Sequence, residues 1–119
     1  MAEHNDLGKK GEMMAEAHLL KNGYSIVEKN WRFGRAEIDI IAQKDHTLAI
    51  VEVKTRTTDW FGNPQDFVNH KKKGLLINAA NEYIISRDLD LEARFDIIAI
   101  VINPQITSLE HIEEAFYAF

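Results

Sequence analysis

Arg35 to Arg56 reads RAEIDIIAQKDHTLAIVEVKTR, two apolar segments that between them carry Asp39, Glu52 and Lys54. Ile, Ala and Val dominate both segments, and Lys44-Asp45-His46 supplies a polar turn, so the stretch reads as a β-hairpin. Alternation puts Leu48, Ile50, Glu52 and Lys54 on one face of the second strand and Ala49, Val51 and Val53 on the other. Both faces are largely apolar, the pattern of a strand covered on both sides. Taking a charge out of water costs several kcal/mol per ion even after relaxation. A fold built on this hairpin must therefore compensate its charges with a partner or a metal.

The rest of the chain follows as a succession of single elements. A first helix is expected from Leu7 to Asn22, with Asn5 or Asp6 as N-cap and Gly23 as its left-handed stop. YSIVEKNWRF reads as a strand ending at a turn on Gly34. RTTDWFGNPQ is a loop marked by Gly62 and Pro64. A second helix is expected from Asp66 to Ser86, with Val68, Leu75, Leu76, Ala79, Ala80, Tyr83 and Ile84 along one stripe. RFDIIAIVI is a strand apolar enough to be central, and ITSLEHIEEAF is read as an edge strand. The order α-βββ-α-β-β predicts an α/β fold of the α+β mixed-sheet kind, with helices on the faces of the sheet. At 119 residues the chain is expected to form one domain, residues 1–119.

Register decides whether the charges meet. A two-residue turn at Asp45-His46 makes paired residue numbers sum to 91, which sets Asp39 opposite Glu52 on one face; a sum of 90 would separate them. Two carboxylates side by side repel by roughly 4 kcal/mol at about 4 Å in an effective dielectric near 20. A divalent cation turns that repulsion into attraction. Oxygen donors without cysteine or clustered histidine favour a hard ion, Mg²⁺ or Mn²⁺. In the first helix, Gly8, Gly11, Glu12, Ala15 and Leu19 share one stripe. Small residues there let the helix sit close to the sheet, with Glu12 aimed at the Asp39/Glu52 edge.

Glu12, Asp39 and Glu52-Val53-Lys54 resemble the acidic-x-Lys signature of the restriction-endonuclease-like nucleases. More narrowly, GxxGE, NWR, EIDIIA, VEVKTR, FGNP, Lys72, RFD and the final AF resemble the YraN family of small bacterial proteins predicted to be endonucleases. The likeness runs from about Leu7 to Phe116. It implies a restriction-endonuclease-like core of the kind found in Holliday-junction resolvases, a single nuclease-like domain. It also implies a metal-dependent phosphodiester hydrolase acting on DNA, including branched or repair intermediates. In that superfamily the Asp and Glu hold the metal, which assigns Asp39 and Glu52 that role, while Lys54 orients the attacking water or stabilises the phosphate. The backbone carbonyl of Val53 is a further candidate ligand, and Glu12 a candidate for a second ion or a metal-bound water. The helix after the signature lacks the Gln-x-x-x-Tyr motif of RecB-type nucleases, which sets the chain apart from that exonuclease-like branch.

The net charge of −5 argues weakly against a phosphate partner, but its distribution is uneven. Residues 1–75 carry twelve Lys/Arg against eleven Asp/Glu, and residues 76–119 carry two against eight. An anionic partner is therefore expected on the first two-thirds. Arg32, Arg35 and Arg56 at the strand ends, Trp60 in the loop and Lys72 of the Lys71-Lys72-Lys73 run are the candidate nucleic-acid contacts. Arg94 and Asp96 share a face of the fourth strand and read as a structural pair, and the five histidines show no metal-ligand spacing. No apolar run is long enough for a bilayer and the N-terminus has no apolar leader, so a cytoplasmic location without membrane contact is expected. A homodimer would suit two-strand cleavage. Two other readings stay open: a nucleic-acid-binding module of the same fold with weak or no catalysis, and a protein-interaction domain working through the acidic C-terminal third.

Overall fold

The hairpin predicted from alternation is the centre of the molecule. In a computed structural model, which describes residues 2–58 and 68–118, the elements are α1 (Ala2–Lys21), β1 (Ser25–Phe33), β2 (Ala36–Lys44), β3 (Thr47–Arg56), α2 (His70–Ser86), β4 (Glu92–Ile102) and β5 (Thr107–Phe116). The strands form one sheet in the order β1-β2-β3-β4-β5. Neighbours are antiparallel except β3 and β4, which run parallel and are joined through α2. This is a mixed α/β architecture consistent with a restriction-endonuclease-like core, in the expected order.

Each face of the sheet has its own core. On one, Leu76, Ala79, Ala80 and Tyr83 of α2 and the preceding Val68 pack on Ile38, Ile41, Leu48, Ile50, Phe95 and Ile97. On the other, Ala15 and Leu19 of α1 pack on Tyr24, Ile40, Ala42, Ala49, Val51, Ile98 and Ile100. β3 and β4 are thus covered on both sides, which accounts for their near-continuous apolar sequence. Among the described residues no helix is long and apolar enough to cross a membrane.

Two boundaries differ from expectation. α1 begins at Ala2, so positions 5 and 6 lie inside the helix and neither is its cap. At its other end Gly23 (φ 89°) closes a Schellman turn: the Gly23 amide donates to the Leu20 carbonyl and the Tyr24 amide to that of Leu19. α2 begins at His70 rather than Asp66, which lies outside the described residues. Asn69 is its N-cap, with Oδ1 accepting from the Lys72 amide at 2.8 Å. A side-chain cap that satisfies an orphan amide stops the helix more firmly than apolar spacing extends it. Val68 is buried against the sheet without being helical.

The small-residue stripe on α1 acts at one position. A Cβ on Gly11 would overlap Thr55 Oγ1 of β3, whereas Gly8 faces open space. Gly11→Ala is expected to cost about 1–3 kcal/mol, the range for overpacking a close contact. Urea titration would show it, and Thr55→Ala in the same chain should recover part of the loss. An unchanged midpoint for Gly11→Ala would contradict this close approach.

Candidate metal and phosphate site

Asp39 sits where the strands depart from regular pairing. β2 and β3 pair from Lys44↔Thr47 to Ile40↔Val51, a constant sum of 91, so the register is the one that brings Asp39 level with Glu52. Across β1, Asn30 lies between the pairs Lys29↔Ile40 and Trp31↔Ile38 and adopts φ 53°. The alternation of β2 slips at the same place: Ile38 and Ile41 both face α2, while Ile40 and Ala42 face α1. Asp39 occupies that slip. Its Oδ2 accepts from the Val53 amide at 2.8 Å, a side chain taking the place of a ladder bond. The Val53 N–H is thus at the site through Asp39.

Glu52 points to the α2 face and is 5% exposed. Its Oε2 lies 2.5 Å from Lys72 Nζ and 3.7 Å from Lys54 Nζ, so two ammonium groups offset one buried carboxylate. Lys72 reaches it from the first turn of α2, held in place by the Asn69 cap. Lys71 and Lys73 diverge, as three successive helical positions must: Lys71 lines a neighbouring cavity and Lys73 lies 5.5 Å over the Phe116 ring.

Glu12 is half-buried on the inner side of α1 and hydrogen-bonds Asn30. Burial pushes its carboxyl above the usual range, the Asn30 bond opposes this, and Glu37, Glu16 and Glu52 add to it. Asp39 is pushed further, to about 7, first by burial and then by the charge of Glu52; the Val53 amide and Lys72 pull it down and Glu12 adds to the rise. The three carboxylates therefore sense one another. They do not form a closed cage, since among the described residues no three acidic or histidine side chains are gathered closely enough to hold an ion. Asp39 and Glu52 offer carboxylate oxygens, a donor set of the kind that suits a hard divalent cation, with Glu52 at present offset by Lys72 and Lys54.

The basic residues expected around the site are spread along its rim. Arg32 pairs with Glu37 at 3.3 Å and both are exposed to a large extent. Arg35, Asn69, Lys71 and Lys72 line a cavity of about 260 Å³ with an apolar floor of Ala36, Leu75 and Leu76. Arg56 is exposed at the end of β3. Trp60 lies outside the described residues.

Sequence reasoning missed two features. Asn30, which shapes β1 and engages Glu12, stands in an ordinary strand sequence; the known tolerance of Asn for left-handed backbone is the only signal it carried. The five histidines show no metal-ligand spacing in the sequence, yet the rings of His18 and His111 meet, with His18 Nε2 3.1 Å from His111 Nδ1. His111 Nε2 lies 2.8 Å from Asp96 Oδ2, and Arg94 binds both oxygens of Asp96 at 2.9 and 2.8 Å. The expected Arg94–Asp96 pair is thus present and larger than two residues.

A five-stranded mixed sheet with one helix on each face, in the order α-βββ-α-ββ, makes this an α/β domain consistent with a restriction-endonuclease-like core. The chain matches the Uncharacterised protein family UPF0102, also called the YraN family, over residues 11–100, and it belongs to that family. It is 60% identical to a UPF0102 protein of Flavobacterium psychrophilum and 53% identical to one of Christiangramia forsetii, each over the full length of both chains. A UPF0102 protein of Bacteroides thetaiotaomicron is 44% identical over 98% of this chain and 97% of its own.

The raised value of Asp39 has a consequence for stability. The folded state holds this proton more tightly than the unfolded chain does, so stability from this group is complete below the ordinary carboxylate value and is lost as pH rises through about 7. Asp39→Asn should therefore stabilise the protein at pH 8 by roughly 1–3 kcal/mol, with the difference shrinking to nothing near pH 4. Thermal melts across that range would test it, and a difference independent of pH would contradict the assigned environment.

Proposed function

We propose that this protein is a metal-dependent nuclease that hydrolyses phosphodiester bonds in DNA, at a site built on Asp39, Glu52 and Lys54. The observation that carries the reading is a register that sets half-buried Asp39 level with buried Glu52 on the neighbouring strand, where burial and the charge of Glu52 push Asp39 up to about 7. Two carboxylates that cannot comfortably both ionise are poorly suited to structure alone and well suited to a cation. Asp39 and Glu52 would hold Mg²⁺ or Mn²⁺, with Glu12 near enough to influence it. Such an ion, when bound, lowers the pKa of a water and offsets charge developing on the phosphate.

The chain's own residues do the rest. Lys54, on the same strand face as Glu52, puts a cation beside the reacting phosphate without leaving the rigid sheet. Lys72 is a second cation on Glu52, and it can move to a phosphate oxygen when metal takes over the carboxylate. Arg35 and Lys71, in the wall of the adjoining cavity, suit the flanking backbone phosphates. The Val53 amide holds Asp39 in one orientation, so ligand geometry is set before substrate arrives.

A second reading is a nucleic-acid-binding module of the same fold. What favours it is that Glu52 already has Lys72 and Lys54 as counter-charges and that no three-ligand cage is assembled among the described residues.

Labelled single strand, duplex, flap and four-way junction, incubated with Mg²⁺ or Mn²⁺, separate the two. Wild type should cut at least one, and Asp39→Asn/Glu52→Gln should lower the rate by about 100-fold or more while folding normally. Equal cutting by the variant would overturn the site. Binding that weakens with salt, without cutting, would favour the module. Independently, Mg²⁺ should raise the melting temperature of wild type at pH 8 and leave that of the double variant unchanged.

A further inference from the structure

The most completely built polar cluster outside the Asp39/Glu52 pair lies on the opposite face of the sheet. Asp96 is level with Val51 in the β3–β4 pairing, but its carboxylate turns toward α1 while that of Glu52 turns toward α2. We propose that His18 and His111, meeting above Asp96, form a binding site for a divalent transition-metal ion of borderline softness, of which Zn²⁺ is the natural probe. This proposal is independent of the nuclease reading.

The first argument is spacing. Two imidazole nitrogens bound to one tetrahedral Zn²⁺ by bonds of about 2.05 Å lie about 3.3 Å apart. His18 Nε2 and His111 Nδ1 face one another at 3.1 Å. An ion needs only a few tenths of an ångström more.

The second argument is orientation. His111 presents its other nitrogen, Nε2, to Asp96 Oδ2 at 2.8 Å, and Asp96 is fully buried. An ionised carboxylate accepts that N–H and so leaves Nδ1 as the lone-pair nitrogen, the arrangement common behind metal-bound histidines. Asp96 is itself fixed by Arg94 and by the Glu114 amide at 3.2 Å. That amide reaches it because β5 bulges: Phe95 pairs with Phe116 but Ile97 with Ile112, and Glu114 at the bulge has φ 50°. The chain thus departs from regular β5 to hold the residue that orients His111.

His18 can be set to match. Its Nδ1 lies 3.4 Å from Asn22 Nδ2. That amide nitrogen also donates to the His18 carbonyl at 2.7 Å, so binding through Nε2 requires the His18 proton to move to Nδ1 and the Asn22 side chain to swing away. His18 is in the last turn of α1, where the helix dipole favours a cation. The neighbouring cavity, about 380 Å³, has room for bound water; Glu113 in its wall, within 3.4 Å of the Tyr24 hydroxyl and 3.5 Å of Arg94, would leave both to supply a carboxylate. Three nearby cations oppose an ion: Lys21, whose charge acts on His18, Lys44, which lies 5.4 Å over the Tyr24 ring, and Arg94, which is on Asp96. The ion would replace the proton now shared by the two rings and pin α1 to the edge strand β5.

The test is titration of untagged, metal-stripped protein with Zn²⁺ by calorimetry, and with Co²⁺ to read coordination from its visible spectrum. In the Asp39→Asn/Glu52→Gln background, which removes the carboxylate pair, one equivalent should bind, with Co²⁺ showing nitrogen ligation. His18→Asn, which leaves the Asp96 network intact, and His111→Asn should each weaken binding by at least ~10-fold. Asp39→Asn/Glu52→Gln should leave this nitrogen-ligated site in place. If Zn²⁺ binds wild type no more tightly than His18→Asn, or if Asp39→Asn/Glu52→Gln removes the binding, the proposal is overturned. The histidines would then be a hydrogen-bonded clasp only.

Discussion

β3 and β4 run parallel through the middle of the sheet with α2 on one face and α1 on the other, so a charged side chain on either strand leaves water whichever way it points. Glu52 points to α2 and is met by Lys72 and Lys54. Asp96 points to α1 and is met by Arg94, His111 and the Glu114 amide. In both cases a whole element is placed by the need to satisfy the charge: the first turn of α2 for Glu52, the bulge of β5 for Asp96. Breaking such a pair by removing one member typically costs several kcal/mol, because it leaves a buried charge uncompensated.

Asp96 and Asp39 differ in how well they are served. Arg94, His111 and a backbone amide together hold Asp96 below the usual carboxylate range in spite of its burial. Asp39 has one amide and a more distant Lys72, against the charges of Glu52 and Glu12, and is driven up to about 7. An acid that is fully compensated stabilises a fold. An acid left short of positive charge is a place where the protein gains from an added cation, and groups shifted in this way concentrate at functional sites. That contrast is why the metal-dependent reading belongs at Asp39 and Glu52, and why Asp96 reads as an orienting group.

Local departures from regular β-structure recur at both clusters. Asn30 at φ 53° lies across from Asp39, and Glu114 at φ 50° lies across from Asp96. At each a polar group meets a carboxylate: the Asn30 side chain meets Glu12 with the β1–β2 register unchanged on either side, and the Glu114 amide meets Asp96 where β5 shifts register. Bulges of this sort re-aim side chains without giving up the sheet on either side. The rigid ladders flanking them are what keep the geometry of both sites narrow.

Alternation and turn chemistry in the sequence determined the hairpin, its register and the faces of β3, because a period of two and a two-residue turn leave one arrangement that buries Leu48 and Ile50 together. They also determined the element order, and with it that Asp39 and Glu52 lie level, and the Arg94–Asp96 pair two residues apart on one strand face. The tertiary structure alone decided the start of α2 at Asn69, the slip at Asn30 and Asp39, the bulge at Glu114, and the meeting of His18 with His111. The physical reason is range. Periodicity and capping act within a few residues, whereas a backbone amide turned toward a carboxylate, or two rings brought together from α1 and β5, exists only once packing has brought distant segments into contact.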